Sequence, residues 1–187
     1  MTSTIRIAVV GSAYNPPTLG HADVIQQALA QADAVWLVPA YHHAWGKAMA
    51  PYEQRCAMTE ALLADLAEPR VQLMAVEHLL GDDGQPVYSY DLLDYLQREH
   101  AAGQQLLLVL GPDNIAAIDK FHRSAELRQR WAILETRERV KVRSTLIRER
   151  LAKGLPINDM TTPSVVTYLA AHQLYPLAAP AAEEGSA

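Results

Sequence analysis

The sequence predicts an α/β domain built on a parallel sheet with helices on both faces, and three observations carry that prediction. Short apolar runs alternate with amphipathic stretches along the chain, half of the 187 residues are hydrophobic while a fifth are charged, and a tight Gly-to-Pro turn follows the first apolar run. Strands buried on both faces read as continuous apolar runs, and the helices that cross over them show apolar residues every three or four positions.

In order, residues 5–10 read as the first strand and 19–30 as the helix after its turn. Residues 34–39 form a second strand, 51–66 a long helix, 71–76 a third strand and 90–99 a helix. Strands follow at 106–110 and 131–134. Ser144 or Thr145 is placed to cap a helix running to about Lys153 with Gly154 as its stop. Thr162 and Pro163 form a cap and first-turn pair opening a last helix over 164–172. Residues 41–50 and 81–86 read as loops.

The length fits one domain over residues 1–177, followed by an Ala, Pro, Glu, Gly and Ser tail at 178–187 whose composition cannot sustain burial. Cys56 is the only cysteine, which excludes an internal disulfide and a cysteine metal cluster and fits a reducing, cytoplasmic setting. No run reaches the length of a membrane span, so no membrane partner is expected. A net charge of -5 argues against nonspecific nucleic-acid binding while leaving room for a local basic pocket. The expected partner is a phosphorylated metabolite.

The turn after the first strand reads Gly11-Ser12-Ala13-Tyr14-Asn15-Pro16-Pro17-Thr18-Leu19-Gly20-His21. Thr18 and His21 stand three apart, so on a helix beginning near Thr18 they share a face that Gly20 leaves bare for a flat ligand. Unpaired N–H groups at a helix start attract anions, and an imidazole beside them can donate to a phosphate oxygen. Ordinary turn chemistry yields a similar composition, so a second constellation matters. In Arg143-Ser144-Thr145-Leu146-Ile147-Arg148, hydroxyls and N–H groups open a helix, and Arg148 lies one turn along, within reach of the same anion. The pair describes a phosphate clamp without a P-loop or an H-E-x-x-H metal site.

The order T-x-G-H after G-x-x-x-N-P-P resembles the (T/H)-x-G-H signature of the nucleotidyltransferase superfamily, which includes the nicotinate mononucleotide and phosphopantetheine adenylyltransferases. Ser144, Thr145 and Arg148 resemble its S-T-x-x-R motif for ATP phosphates. The resemblance runs from about residue 5 to residue 175 and implies a Rossmann-like domain of nucleotidyltransferase type. Its implied reaction transfers AMP from ATP to a pyridine mononucleotide, preferably nicotinate mononucleotide, with Mg²⁺ carried mainly by the ATP phosphates. On that resemblance His21, Thr18, Arg148 and Lys47 are catalytic. ATP falls to Gly11, Ser12, Ala13, Gly20, His21, Gly111, Asp113, Ser144, Thr145 and Arg148.

The acceptor falls to Tyr14, Asn15, His43, Lys47, Tyr88, Ser89 and Phe121. Tyr88-Ser89-Tyr90-Asp91-Leu92 resembles the S-Y-T-x-D-T-L stretch of the nicotinate mononucleotide enzymes, and Gly111-Pro112-Asp113-Asn114 their G-x-D-N. Phe121 stands where they carry a tryptophan that stacks on the pyridine ring, and His43 and Lys47 stand near their P-H-K. Residues 165–175 resemble their closing helix. Thr18 matches the T-N-G-H form of the phosphopantetheine enzymes. The stretch before Ser144 is shorter than the family's. A phosphopantetheine or nicotinamide mononucleotide acceptor, and a nucleotide-binding protein without turnover, therefore stand as alternatives.

Overall fold

In the computed structural model, which describes residues 4–42, 49–81 and 84–175, five parallel strands lie in the order β3-β2-β1-β4-β5. They are β1 (Arg6–Ser12), β2 (Ala34–Pro39), β3 (Val71–Leu73), β4 (Gln105–Leu110) and β5 (Ala132–Glu135). The helices are α1 (Leu19–Leu29), α2 (Tyr52–Leu66), α3 (Ser89–Glu99), α4 (Pro112–Ala116), α5 (Ser124–Arg130), α6 (Ser144–Ala152) and α7 (Pro163–Ala171).

Alternation along the strands builds two cores. Ala8 and Val10 of β1, Val35 and Leu37 of β2 and Leu107 and Val109 of β4 point to one face, where Ile25, Met58, Leu62, Ile147, Val165 and Leu169 cover them. Ile7, Val9, Trp36, Val38, Leu106 and Leu108 point to the other, under Leu93 and Leu96 of α3 and Leu127 of α5. The chain leaves β1 toward β2 on one side and reaches β4 on the other, so a crevice opens at the carboxyl ends of β1 and β4. Such a switch point is where open α/β sheets bind ligands.

Several boundaries moved. β1 begins at Arg6 and runs on to Ser12, because Gly11 and Ser12 pair with Val38 and Pro39. β3 stops at Leu73, where pairing to β2 ends, and the chain coils into a 3₁₀ turn at Glu77–Leu79. The short helices α4 and α5 were not foreseen. Five and seven residues give too few turns for a periodic signal, and α4 opens on a Gly111-Pro112 pair that reads as a turn.

Neither expected hydroxyl cap forms. Ser144 is already helical and donates its hydroxyl to the Pro16 carbonyl at 2.6 Å. Thr162 makes no cap bond; Asp65 of α2 accepts from the Ser164 N–H at 2.8 Å and from its hydroxyl at 2.6 Å, welding α7 to α2. The expected tail at 178–187 lies outside the described residues.

Candidate active site

Thr18 and His21 close a reciprocal cap on α1. The His21 N–H donates to Thr18 Oγ1 at 3.3 Å, and the Thr18 N–H donates to His21 Nδ1 at 3.0 Å. That second bond fixes the tautomer. Nδ1 is an acceptor, so the ring proton sits on Nε2, which lies 2.9 Å from Ser12 Oγ at the end of β1. Burial pulls the His21 pKa down to about 4, so at neutral pH the ring is an uncharged donor. At neutral pH His21 therefore offers a dipole rather than a full charge. Tyr14 backs it, its ring centroid 4.8 Å away.

Two clefts flank this pair. The first, about 330 Å³, is lined by Thr18, Gly20, His21, Asp23, Gly111, Asp113, Asn114, Ser144 and the stretch around Arg137 to Arg143. The second, about 290 Å³, is lined by Gly11, Ser12, Ala13, His42, Glu77, Ser89, Asn114 and Phe121. His21 stands in one wall and Ser12 in the other, so their hydrogen bond crosses the partition.

The three motif glycines serve two ends. A side chain on Gly11 or Gly111 would meet no atom within 4 Å, so both keep cleft space open. A Cβ on Gly20 would lie 2.7 Å from the Val142 carbonyl. The face expected to be bare for a ligand is therefore occupied by the chain before Ser144. That short stretch crosses the first turn of α1 and becomes a cleft wall. Gln27 fastens it through the Arg137 N–H at 2.9 Å and the Arg137 carbonyl at 2.9 Å, and Arg139 pairs with Asp23 at 2.6 Å. Arg139 holds the Asp23 carboxyl below its usual range.

Other expected ligand groups are spent inside the protein. Thr18, 1% exposed, donates its hydroxyl to the Val142 carbonyl at 3.1 Å rather than presenting it to phosphate. Tyr14 is wholly buried and donates to the Val10 carbonyl at 2.9 Å; its φ of 47° turns the chain sharply after Ala13. Asn15 is buried, its Oδ1 accepting from the Ala50 N–H at 3.0 Å and from the Tyr175 hydroxyl. Tyr14 and Asn15 thus shape the turn instead of facing an acceptor. Both stand between the end of β1 and Pro16, and sequence alone did not separate shaping from binding.

The two motifs do meet. Arg148 Nη1 donates to the Asn15 carbonyl at 2.6 Å, and its Nη2 lies 3.3 Å from Thr145 Oγ1. Ser144 lines the first cleft, whereas Arg148 and Thr145 do not. Asp113, at the start of α4, pairs with Arg143 at 3.2 Å, and Arg143 also holds Glu138 at 2.9 Å. Ser89 opens α3 at the second cleft, where Phe121 offers one side of its ring while the rest packs on the core. Tyr88 points away, 45% exposed and stacked on His122 with centroids 4.8 Å apart. His43 and Lys47 lie outside the described residues. Among the described residues no group of three or more His, Cys, Asp or Glu converges as a metal cage.

Glu77 and Arg55, which sequence reasoning passed over, belong to this region, as does Asn114, which it quoted only within the G-x-D-N resemblance. Glu77 lies buried in the wall of the second cleft and accepts from the Tyr41 N–H at 2.8 Å. Burial pushes its carboxyl up to about 7 against the pull of that N–H and of the Arg55 charge. Asn114 borders both clefts. Arg55, 1% exposed, sits among Met58, Thr59 and Leu62 on the inward face of α2. An arginine at core spacing on a helix was a legible signal.

With this geometry in view, residues 9–150 match the model of the cytidylyltransferase-like family. The chain belongs to that family. It is 31% identical to a protein of Myxococcus xanthus named "Probable nicotinate-nucleotide adenylyltransferase", over 95% of this chain and 98% of that one. A crystal structure from Vibrio parahaemolyticus whose name carries the same assignment is 35% identical, covers 91% of this chain and 95% of its own, and superposes with a TM-score of 0.79. Nicotinic acid mononucleotide adenylyltransferase of Plasmodium falciparum, solved with NaAD, shares the fold at 16% identity, 91% and 97% coverage and a TM-score of 0.71. The resemblance drawn from the two phosphate motifs is borne out, as is the Rossmann-like α/β fold. No helix among the described residues is long and apolar enough to cross a membrane.

Proposed function

We propose that this protein transfers AMP from ATP to nicotinate mononucleotide, giving nicotinate adenine dinucleotide and pyrophosphate. One observation carries the reading: two clefts of similar size meet at the Ser12–His21 hydrogen bond, at the carboxyl ends of β1 and β4. The first cleft takes ATP, with its adenosine along Gly111, Asp113 and the wall around Val140. The second takes the mononucleotide, with its ring near Phe121 and its acid group toward the N–H groups that open α3 at Ser89, so Gly11, Ser12 and Ala13, expected on the ATP side, fall to the acceptor side because they line this cleft.

The acceptor phosphate is already ionised, so no general base is required. One of its oxygens attacks the α-phosphorus of ATP, the new P–O bond forms, and the bond to the pyrophosphate oxygen breaks with its electron pair leaving on pyrophosphate. His21 turns its Nε2 proton from Ser12 toward the α-phosphate oxygen, where negative charge is held as the bonds exchange. The N–H groups at the start of α6 add their positive ends, whereas those of Leu19 and His21 on α1 are taken by the Met160 carbonyl and the Thr18 hydroxyl. Arg148, released from the Asn15 carbonyl, and Lys47 supply the full charges that a neutral His21 cannot. A Mg²⁺ brought in on ATP would be held mainly by phosphate and water oxygens and would supply further positive charge toward the pyrophosphate.

Pyrophosphate release with ATP and, separately, nicotinate mononucleotide, nicotinamide mononucleotide and phosphopantetheine tests the reading. The first acceptor is expected to give the highest kcat/KM. Preference for either of the others reassigns the second cleft, and ATP binding without release with any of them leaves a nucleotide-binding protein. The single half-buried cysteine fits the cytoplasm as the place of this reaction.

A further inference from the structure

Arg55 spreads its fork over three separate segments. Its Nη1 donates to the Ala13 carbonyl at 2.8 Å, its Nε to the Ala50 carbonyl at 2.9 Å and its Nη2 to the Tyr41 carbonyl at 3.2 Å. The Tyr41 peptide is gripped on its other side as well, its N–H donating to Glu77 Oε2 at 2.8 Å. Ala50 is likewise held twice, its N–H bonding to Asn15 Oδ1 at 3.0 Å. A guanidinium costs much to bury, and an aliphatic side chain would pack against Met58 and Leu62 without that cost. The three carbonyls it gathers are what an aliphatic residue could not provide for. Ala13 lines the second cleft, Tyr41 immediately precedes His42, which also lines it, and Glu77 lies in the same wall.

We propose that Arg55 is a positioning residue for the acceptor cleft, acting with Glu77 through the backbone of Tyr41 to fix one wall relative to the turn at Ala13. It does not touch the acceptor. Its effect passes through peptide groups, so it falls on acceptor binding and alignment and spares the adenosine cleft, none of whose lining residues it hydrogen-bonds. The substrate side of this inference rests on the proposed reaction; the clasp itself does not.

The test uses the full chain with Arg55→Lys, which keeps the charge and loses the fork. Displacement of a substrate-positioning wall is costly, so kcat/KM for nicotinate mononucleotide is expected to fall at least about tenfold, with the KM for ATP changed less than about threefold. Hydrogen exchange of the Tyr41 and Ala50 amides, read without substrate, is expected to quicken about tenfold or more while the β4 amides hold. Unchanged kinetics and exchange, or equal losses for both substrates with faster exchange throughout the sheet, would overturn the proposal. Where Arg55→Lys does not fold, Glu77 decides. Glu77→Ala is expected to raise the acceptor KM at least about fivefold, and Glu77→Gln, which still accepts from Tyr41, to restore it. Equal behaviour of those two variants counts against the clasp. A wild-type chain that turns over no pyridine mononucleotide counts against the reaction alone, and the exchange measurement then decides the clasp.

Discussion

The Tyr175 hydroxyl donates to Asn15 Oδ1, tying the end of the described chain to the first turn 160 residues away. The same Asn15 offers its carbonyl to Arg148 and its amide oxygen to the Ala50 N–H. One buried residue thus joins the turn after β1, helix α6, the start of α2 and the closing segment. Removing the Tyr175 hydroxyl leaves Asn15 one bond short, so Tyr175→Phe is expected to cost about 1 kcal/mol in urea unfolding. With Asn15→Ala in a double-mutant cycle, the coupling should lie near 0.5–3 kcal/mol, roughly the range for residues in one network. Additive losses would place Tyr175 outside that network.

His21→Ala is expected to lower kcat on the order of 10²-fold, the usual loss for one preorganised donor at a site of charge development. The ring is neutral down to about pH 4, so kcat should show no descending limb from its protonation between pH 7 and pH 5. An NMR titration of His21 inflecting near 6.5 would contradict the burial-lowered pKa and the neutral ring that follows from it.

Stability against pH carries opposed signatures from two groups. His21 ionises near 6.5 when unfolded but near 4 when folded, so the folded chain binds fewer protons in that window; its contribution is full above 6.5 and is lost as pH falls toward 4. Glu77 is the reverse: folded it keeps its proton to about 7 while unfolded it releases near 4.5, so its contribution is full below 4.5 and is lost as pH rises through 7. Each slope is at most about 1.4 kcal/mol per pH unit, and between 4.5 and 6.5 they cancel. Urea unfolding of Glu77→Gln should then gain stability as pH rises through that window, whereas His21→Ala should lose it. Parallel curves for both variants would show that neither shift is present.

Gly20→Ala and Gly11→Ala should part company. The first drives a methyl to 2.7 Å from the Val142 carbonyl, a backbone atom, and is expected to cost about 1–3 kcal/mol by overpacking. The second meets nothing and needs no unusual φ, so its melting temperature should hold or rise while a methyl narrows the second cleft and raises the acceptor KM. Calorimetry and steady-state kinetics on both variants check the contrast; a destabilised Gly11→Ala would remove it.

Arg148→Lys is expected to keep its melting temperature within a few degrees and lose at least about tenfold in kcat/KM for ATP, because an ammonium cannot reproduce a planar fork on phosphate oxygens. Arg150, two residues on, bonds Asp159 at 2.9 Å and the Pro156 carbonyl at 3.1 Å, so Arg150→Lys should touch stability slightly and kinetics not at all. Identical kinetics for the two variants would move the triphosphate away from α6.

The strand-and-helix rhythm and the helix starts after Gly11 and at Ser144 were legible in the sequence, because each rests on local periodicity or short-range spacing, and the pairing of Gly11-to-His21 with Ser144-to-Arg148 was legible only through the family resemblance. What each polar group does was decided by tertiary structure. Thr18, Tyr14 and Asn15 carry the right chemistry for a ligand, yet the chain itself arrives first: the Val142 carbonyl takes the Thr18 hydroxyl, Val10 takes Tyr14, and Ala50 and Tyr175 take Asn15. Gly20 reads as an empty face and is a crossing point for the stretch before Ser144. Arg55 and Glu77 owe their importance to segments that no local window contains. A sequence displays its donors and acceptors in chain order, whereas a buried polar group must find a partner wherever the fold supplies one, and that choice is made only when distant segments meet.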